Sequence, residues 1–151
     1  DRLPLVSLGF SMGAFRAWQV AALSDEVNAA VAACWFNSWP ALLYSGSNLA
    51  KGQSSFYFLH PGLNSQLDIA DLVSLAAPKP LYLLNGGQDP LMPSDAVLAG
   101  YKQLQLAWQQ AGAPQQLRTE LWTEAKHEFP LAQQQQVWAW LAELNRSLPS
   151  R

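Results

Sequence analysis

Gly9-Phe10-Ser11-Met12-Gly13 follows the apolar run Leu3 to Leu8 and precedes the helix-patterned run Ala14 to Leu23. The stretch predicts a strand, a sharp turn and a helix, with a serine at the apex. Such a turn forces the apex residue into a strained backbone conformation, and glycines on either side remove the Cβ atoms that would clash where strand and helix nearly touch. It lifts the Ser11 hydroxyl clear of the sheet. It also sets the amide of Met12 at the start of the helix, where free N–H donors and the helix dipole favour a developing negative charge.

Leu3 to Phe10 is almost unbroken in apolar character, as in a parallel strand covered on both faces. Gly13 to Leu23 spaces Phe15, Trp18, Ala22 and Leu23 as one helix face, and Ala29 to Trp35 is a second run of strand length, giving a βαβ crossover. Asp68 to Ala77 predicts a short helix capped by Asp68, Pro80 to Asn85 a third strand, and Ser94 to about Ala111 a helix capped by Ser94. Leu117 to Trp122 is the fourth strand, and Pro130 opens a last helix reaching Leu148. The reading is an α/β chain with about four parallel strands and flanking helices, one domain over residues 1–151.

Between about residues 35 and 67 the periodicity fails, and Gly, Ser, Asn and Pro alternate with aromatic residues. A loop of that length is either a cap that shapes a pocket or a connection whose rings complete the core. On the first reading Trp35, Phe36 and Trp39 are substrate-binding.

The formal net charge of −2 gives no reason to expect a nucleic acid partner, and no apolar run reaches the ~20 residues of a membrane-spanning helix. A soluble protein is expected, cytoplasmic in preference to secreted. Cys34 is the one cysteine, within an apolar run, and reads as a buried structural thiol. Two histidines and no clustered carboxylates give a metal site no support, and no cofactor motif is present.

Three residues stand on three strand-end loops: Ser11 after the first strand, Asp89 in Gly86-Gly87-Gln88-Asp89-Pro90 after the third, and His127 after the fourth. A serine hydroxyl needs a base to take its proton, an imidazole does so near neutral pH, and a carboxylate on the far ring nitrogen fixes the tautomer. Asp95 is the rival acid, read as part of a helix start. His60 is the rival base, read as structural or pocket-lining, and Glu128 reads as solvent-facing.

Leu5 to Trp18 resembles the nucleophile elbow of the α/β-hydrolases, nearest to the dienelactone-hydrolase-like and acetyl-xylan-esterase-like branch, with Ala14 where a further glycine is common. Leu84 to Pro90 resembles the acid loop of that family and Lys126 to Phe129 its histidine loop, in the family's order of serine, acid and histidine. The resemblance implies a serine hydrolase acting on carboxylic esters, with Ser11, His127 and Asp89 as the triad and Met12 giving one oxyanion amide. It covers only the C-terminal half of such a domain, so the earlier strands and the loop supplying a second oxyanion amide are expected upstream of Asp1. Leu3 to Phe10 then becomes an apolar sheet edge, and the chain is expected to self-associate or to pair with an N-terminal segment. Two other readings remain: a non-catalytic remnant or interaction module that keeps the elbow as a fold feature, and a peptidase like the prolyl-oligopeptidase family.

Overall fold

The computed structural model describes residues 4–44, 47 and 55–147. Leu3, Leu148 and residues 45–46 and 48–54 of the irregular segment lie outside the described residues. Four strands, β1 (Leu5–Phe10), β2 (Val27–Ala33), β3 (Leu81–Gly86) and β4 (Leu117–Trp122), form one sheet in the order β1-β2-β3-β4, each pair parallel. The helices are α1 (Met12–Leu23), α2 (Trp39–Leu42), α3 (Ser55–Phe58), α4 (Ile69–Ser74), α5 (Ser94–Gln110) and α6 (Leu131–Ser147). The second strand starts two residues earlier than the apolar run marks, at Val27, and the short helix closes at Ser74 before a series of turns.

Alternation along the strands sorts the core onto two faces of the sheet. Ala30, Ala32, Leu81 and Leu83 pack with α1, α4 and α5, while Val31, Ala33, Tyr82 and Leu84 pack with Val137 and the partly buried Phe129, Trp140 and Leu141 around α6. The small residues of β2 leave room for the large side chains of α1, and Phe15 and Trp18 are buried almost completely. Burying a side chain of that size contributes roughly 2–3 kcal/mol. β1 has a single partner strand among the described residues, and its Leu5, Leu8 and Phe10 remain partly exposed.

The helix starts differ in how their free amides are met. Asp68 caps α4 through a full capping box, its carboxylate accepting from Ile69 N–H at 2.7 Å while Asp71 accepts from Asp68 N–H at 2.8 Å. Ser94, expected as a cap, is instead the first residue of α5. Pro93 holds the cap position and no side chain caps the helix.

In register, Phe10 lies opposite Ala33, Ala33 opposite Leu84, and Leu84 opposite Glu120, so the carboxyl ends of all four strands share one edge. The residues that follow the strands therefore leave side by side. That edge holds the candidate site.

The two glycines of the strand-turn-helix junction, Gly9 and Gly13, are not equivalent. A Cβ on Gly9 would stand 2.1 Å from the carbonyl carbon of Gly13 and 2.6 Å from the amide nitrogen of Ala14, whereas a Cβ on Gly13 would meet nothing within 4 Å. The close approach of strand to helix therefore rests on Gly9 alone, and Gly13 is not there to avoid a clash. Gly9→Ala is predicted to destabilise the fold by about 3 kcal/mol or more, because backbone atoms cannot rotate away as an overpacked side chain can. Gly13→Ala is predicted to be neutral or up to ~1 kcal/mol stabilising, from helix propensity. Urea unfolding midpoints of the two variants check this.

Candidate active site

β1 ends at Phe10 and α1 begins at Met12, so the whole turn is Ser11. Its φ of 55° and ψ of −125° lie where residues with a side chain rarely go. Hydrogen bonds hold it there from both sides. Ser11 N–H donates to the carbonyl of Ala33 at 2.8 Å, and Ser11 C=O accepts from the amides of Ala14 at 2.8 Å and Phe15 at 3.2 Å. Among the described residues no acceptor is found for the backbone N–H of Met12 or Gly13. These donors sit at the positive end of the α1 dipole, beside the Ser11 hydroxyl.

The other two loops are stitched to each other. Gly87 N–H donates to the carbonyl of Trp122 at 2.8 Å, and Gln88 N–H to that of Ala125 at 2.9 Å. A Cβ on Gly86 would stand 2.2 Å from the carbonyl oxygen of Lys126, and one on Gly87 would stand 2.8 Å from the Cα of Thr123. The glycine pair is what lets the loop after β3 lie flat against the loop after β4.

This contact delivers Asp89 and His127 to one another. The Asp89 carboxylate is fully buried, with Oδ1 accepting from Leu91 N–H at 2.8 Å and Oδ2 lying 2.6 Å from His127 Nδ1. His127 Nε2 lies 2.7 Å from Ser11 Oγ. An ionised carboxylate only accepts, so the imidazole proton sits on Nδ1 and donates to Asp89. Nε2 is then bare and accepts the hydroxyl proton of Ser11. The His127 side chain keeps about a fifth of its surface exposed, at 22%.

The structure keeps the rival groups apart from this line. Asp95 is exposed in the first turn of α5. His60 Nε2 faces Gln19 Nε2 at 3.0 Å, and its ring stacks over Phe15. Glu128 is exposed and its carboxylate accepts from Lys126 N–H at 3.1 Å.

Trp35, Phe36 and Trp39 do not serve as exposed pocket walls. They are buried to 2%, 0% and 3% exposure, with Trp35 against Phe15 and Phe58, Trp39 against Phe58, and Phe36 stacked on Tyr101. The chain turns at Cys34, whose φ is 60°, and sends these rings down between α1 and α5. Gly100 on α5 is the socket for Phe36, since a Cβ there would stand 2.7 Å from its ring. The core reading of these rings therefore replaces the cap reading. Tyr44, Phe56 and Tyr57 are the exposed rings of the segment.

Several supporting residues are not evident from sequence motifs. Phe10 lies 5.2 Å from the His127 ring and stacks on Phe129 at 6.5 Å, forming an aromatic side to the imidazole. Asn85 is buried at the end of β3, donating to the carbonyl of Phe36 and accepting from the Tyr101 hydroxyl at 3.0 Å. Asn37 donates to the carbonyl of Pro93 at 3.0 Å, tying the turn after β2 to the start of α5. Burial drives the Tyr101 hydroxyl well above its ordinary pKa, so it stays a neutral donor in this network.

A scan against protein-family models finds no match. The chain is 32% identical over 107 residues to the "Putative hydrolase YtaP" of Bacillus subtilis (strain 168), a match covering 71% of this chain and 35% of that protein. It also superposes on a glucuronoyl esterase of carbohydrate esterase family 15 from Caldicellulosiruptor kristjansonii. There the TM-score is 0.76 at 14% identity, over 95% of this chain and 44% of the other. The fold is that of the α/β-hydrolases. The acylaminoacyl peptidase of Pyrococcus horikoshii shares it, with a TM-score of 0.62 at 15% identity over 97% of this chain and 24% of that one. The α/β-hydrolase sheet thus carries more than one chemistry among its relatives, and the reaction has to be argued from the site. The chain spans about a third of the length of the curated relative it matches.

Cys34 lies one residue beyond β2, close to this site. Its buried thiol donates to the Glu128 carbonyl at 3.2 Å, and burial pushes its pKa up to about 11. At pH 8 the folded chain is predicted to react with iodoacetamide at least ~100-fold more slowly than the urea-unfolded chain, where the thiol returns to its ordinary range. Mass spectrometry of timed alkylation checks this.

Proposed function

We propose that the chain carries the catalytic residues of a serine hydrolase acting on carboxylic esters, with Ser11 as nucleophile, His127 as general base and acid, and Asp89 as its orienting partner. The observation that carries this reading is the continuous line from Asp89 Oδ2 through His127 to Ser11 Oγ, with steps of 2.6 and 2.7 Å. A fold residue needs no such relay. Complete burial of the Asp89 carboxylate supports the same reading, since it costs stability and the sheet does not require it.

Ser11 Oγ attacks the ester carbonyl while its proton passes to His127 Nε2. The resulting imidazolium is stabilised by the Asp89 carboxylate on the opposite nitrogen. The developing oxyanion is met by the N–H of Met12 at the head of α1. Collapse breaks the bond to the alcohol, which leaves with the proton from His127. Water, deprotonated by the same imidazole, then releases the acid and restores Ser11.

The outer edge of β1, which has no partner strand among the described residues, and the partly exposed Leu5, Leu8 and Phe10 are the surface on which the chain associates, with a second copy or with an upstream segment. Light scattering of the 151-residue chain is expected to show association. A clean monomer would remove this part of the reading.

Short p-nitrophenyl esters are the predicted substrates, and the matching p-nitroanilides separate ester from peptide-bond cleavage. Ser11→Ala is expected to lower kcat by at least ~10³-fold. Asp89→Asn is expected to lower it by roughly 10⁴-fold, because the amide favours the wrong imidazole tautomer. Full turnover in the Ser11→Ala variant would make the elbow a fold feature without chemistry. Anilides cleaved as fast as esters would favour the peptidase reading.

A further inference from the structure

A groove of about 560 Å³ runs along the outer face of α1, away from the strand-end edge that holds Ser11. Arg16, Gln19, Val20 and Leu23 fall at the i, i+3, i+4 and i+7 positions of α1 and so form one stripe along its side of the groove. The facing side comes from His60, Leu63, Leu72 and Leu75, on the segment that leads through α4 towards β3. It is therefore built between two elements of the sheet's interior connections, distinct from the open edge of β1.

The groove is polar at one end and mainly apolar along the rest, with Ser24 at the far end. Arg16, Gln19 and His60 cluster at the end nearer the start of α1, and Gln19 bonds to both of the others. Beyond them Val20, Leu23 and Leu75 are 46%, 78% and 59% exposed, an apolar surface that water covers at a cost.

The cation at the polar end has spare capacity. The Arg16 guanidinium donates to Gln19 Oε1 at 2.9 Å and to the carbonyl of Tyr57 at 2.5 Å, both neutral acceptors, and lies 5.2 Å from the Phe15 ring centroid. A guanidinium has five N–H donors. Among the described residues no carboxylate pairs with it. A cation with no paired carboxylate among the described residues, at the mouth of a mainly apolar channel, is complementary to an amphiphile with an anionic head.

We propose that this groove binds a linear aliphatic carboxylate, its head on the Arg16 guanidinium and its chain laid along Val20 and Leu23 against Leu75. The distance along α1 from Arg16 to Ser24 is about 12 Å at 1.5 Å per residue, the reach of an extended chain of roughly ten carbons. The site does not depend on the chemistry assigned to Ser11, and its test does not read turnover.

Isothermal titration of the 151-residue chain with decanoate below its micelle concentration measures binding, with decanol and decyltrimethylammonium as head-group controls. Saturable decanoate binding is expected, with both controls at least ~10-fold weaker. Arg16→Gln is expected to weaken decanoate by about 10-fold or more and to leave decanol within about twofold, since only the charge-assisted bond is lost. Arg16→Lys, which keeps the charge, should recover part of the affinity. Leu23→Asp, at an exposed position that the fold does not need, should weaken both decanoate and decanol. Absence of saturable decanoate binding overturns the proposal. So does decanol binding as tightly as decanoate, or an Arg16→Gln variant with unchanged decanoate affinity in a chain whose circular dichroism is that of the parent.

Discussion

The site depends on a place where two pieces of backbone touch. β1 and the head of α1 approach so closely at Gly9 that a methyl group would overlap the carbonyl of Gly13. With the strand and helix pressed together, a single residue must reverse the chain, and Ser11 takes the positive φ that this demands. Its hydroxyl then projects above the sheet edge while the next amides head the helix. The same device recurs across the sheet, where Gly86 and Gly87 let the loop after β3 press on the carbonyls and Cα of the loop after β4. Two glycine contacts, one on each side of the edge, bring Ser11, His127 and Asp89 onto one line.

Parallel register makes those contacts cooperate. All four strands end at one edge of the sheet, β3 and β4 two residues beyond β1 and β2, so the turns that follow them are neighbours, and the bonds from Ser11 to Ala33, Cys34 to Leu84 and Gly87 to Trp122 pass from one strand end to the next. Beneath them the buried Asn85, Tyr101 and Asn37 tie the turn after β2 to β3 and α5. Polar groups at that depth are stabilising only when satisfied, and these are. The strand-end turns are thereby tied to one another and to the core beneath them, which suits the proposed relay of three side chains.

Much of this was legible in the residues because it is local. A strand, a glycine, a serine and a helix in succession allow few geometries, and the placement of Asp89 and His127 after later strands follows from hydrophobic runs of strand length. What the residues did not disclose is set by packing between distant parts of the chain. Trp35, Phe36 and Trp39 look alike as cap or core until Phe15, Phe58, Tyr101 and the gap at Gly100 are known to face them. Gly13 reads as a steric necessity and is not one, because the space beside it is decided by the direction in which α1 leaves the sheet. Phe10 and Phe129 flank His127 from separate elements, and only their neighbouring positions in the fold make them part of the site. Ser94 yields the cap of α5 to Pro93, since the chain enters that helix from the turn built on Asp89.

The central claim is that His127, held by Asp89, activates Ser11. Its most direct measurement is the rate at which a fluorophosphonate labels the chain, followed by intact mass and by peptide mapping, in the parent and in Asp89→Asn. The account predicts one label per chain, on Ser11, with the rate falling by at least ~10²-fold in the variant because the imidazole no longer presents a bare Nε2 to the hydroxyl. Labelling of a different serine, or an Asp89→Asn rate equal to that of the parent, would contradict it.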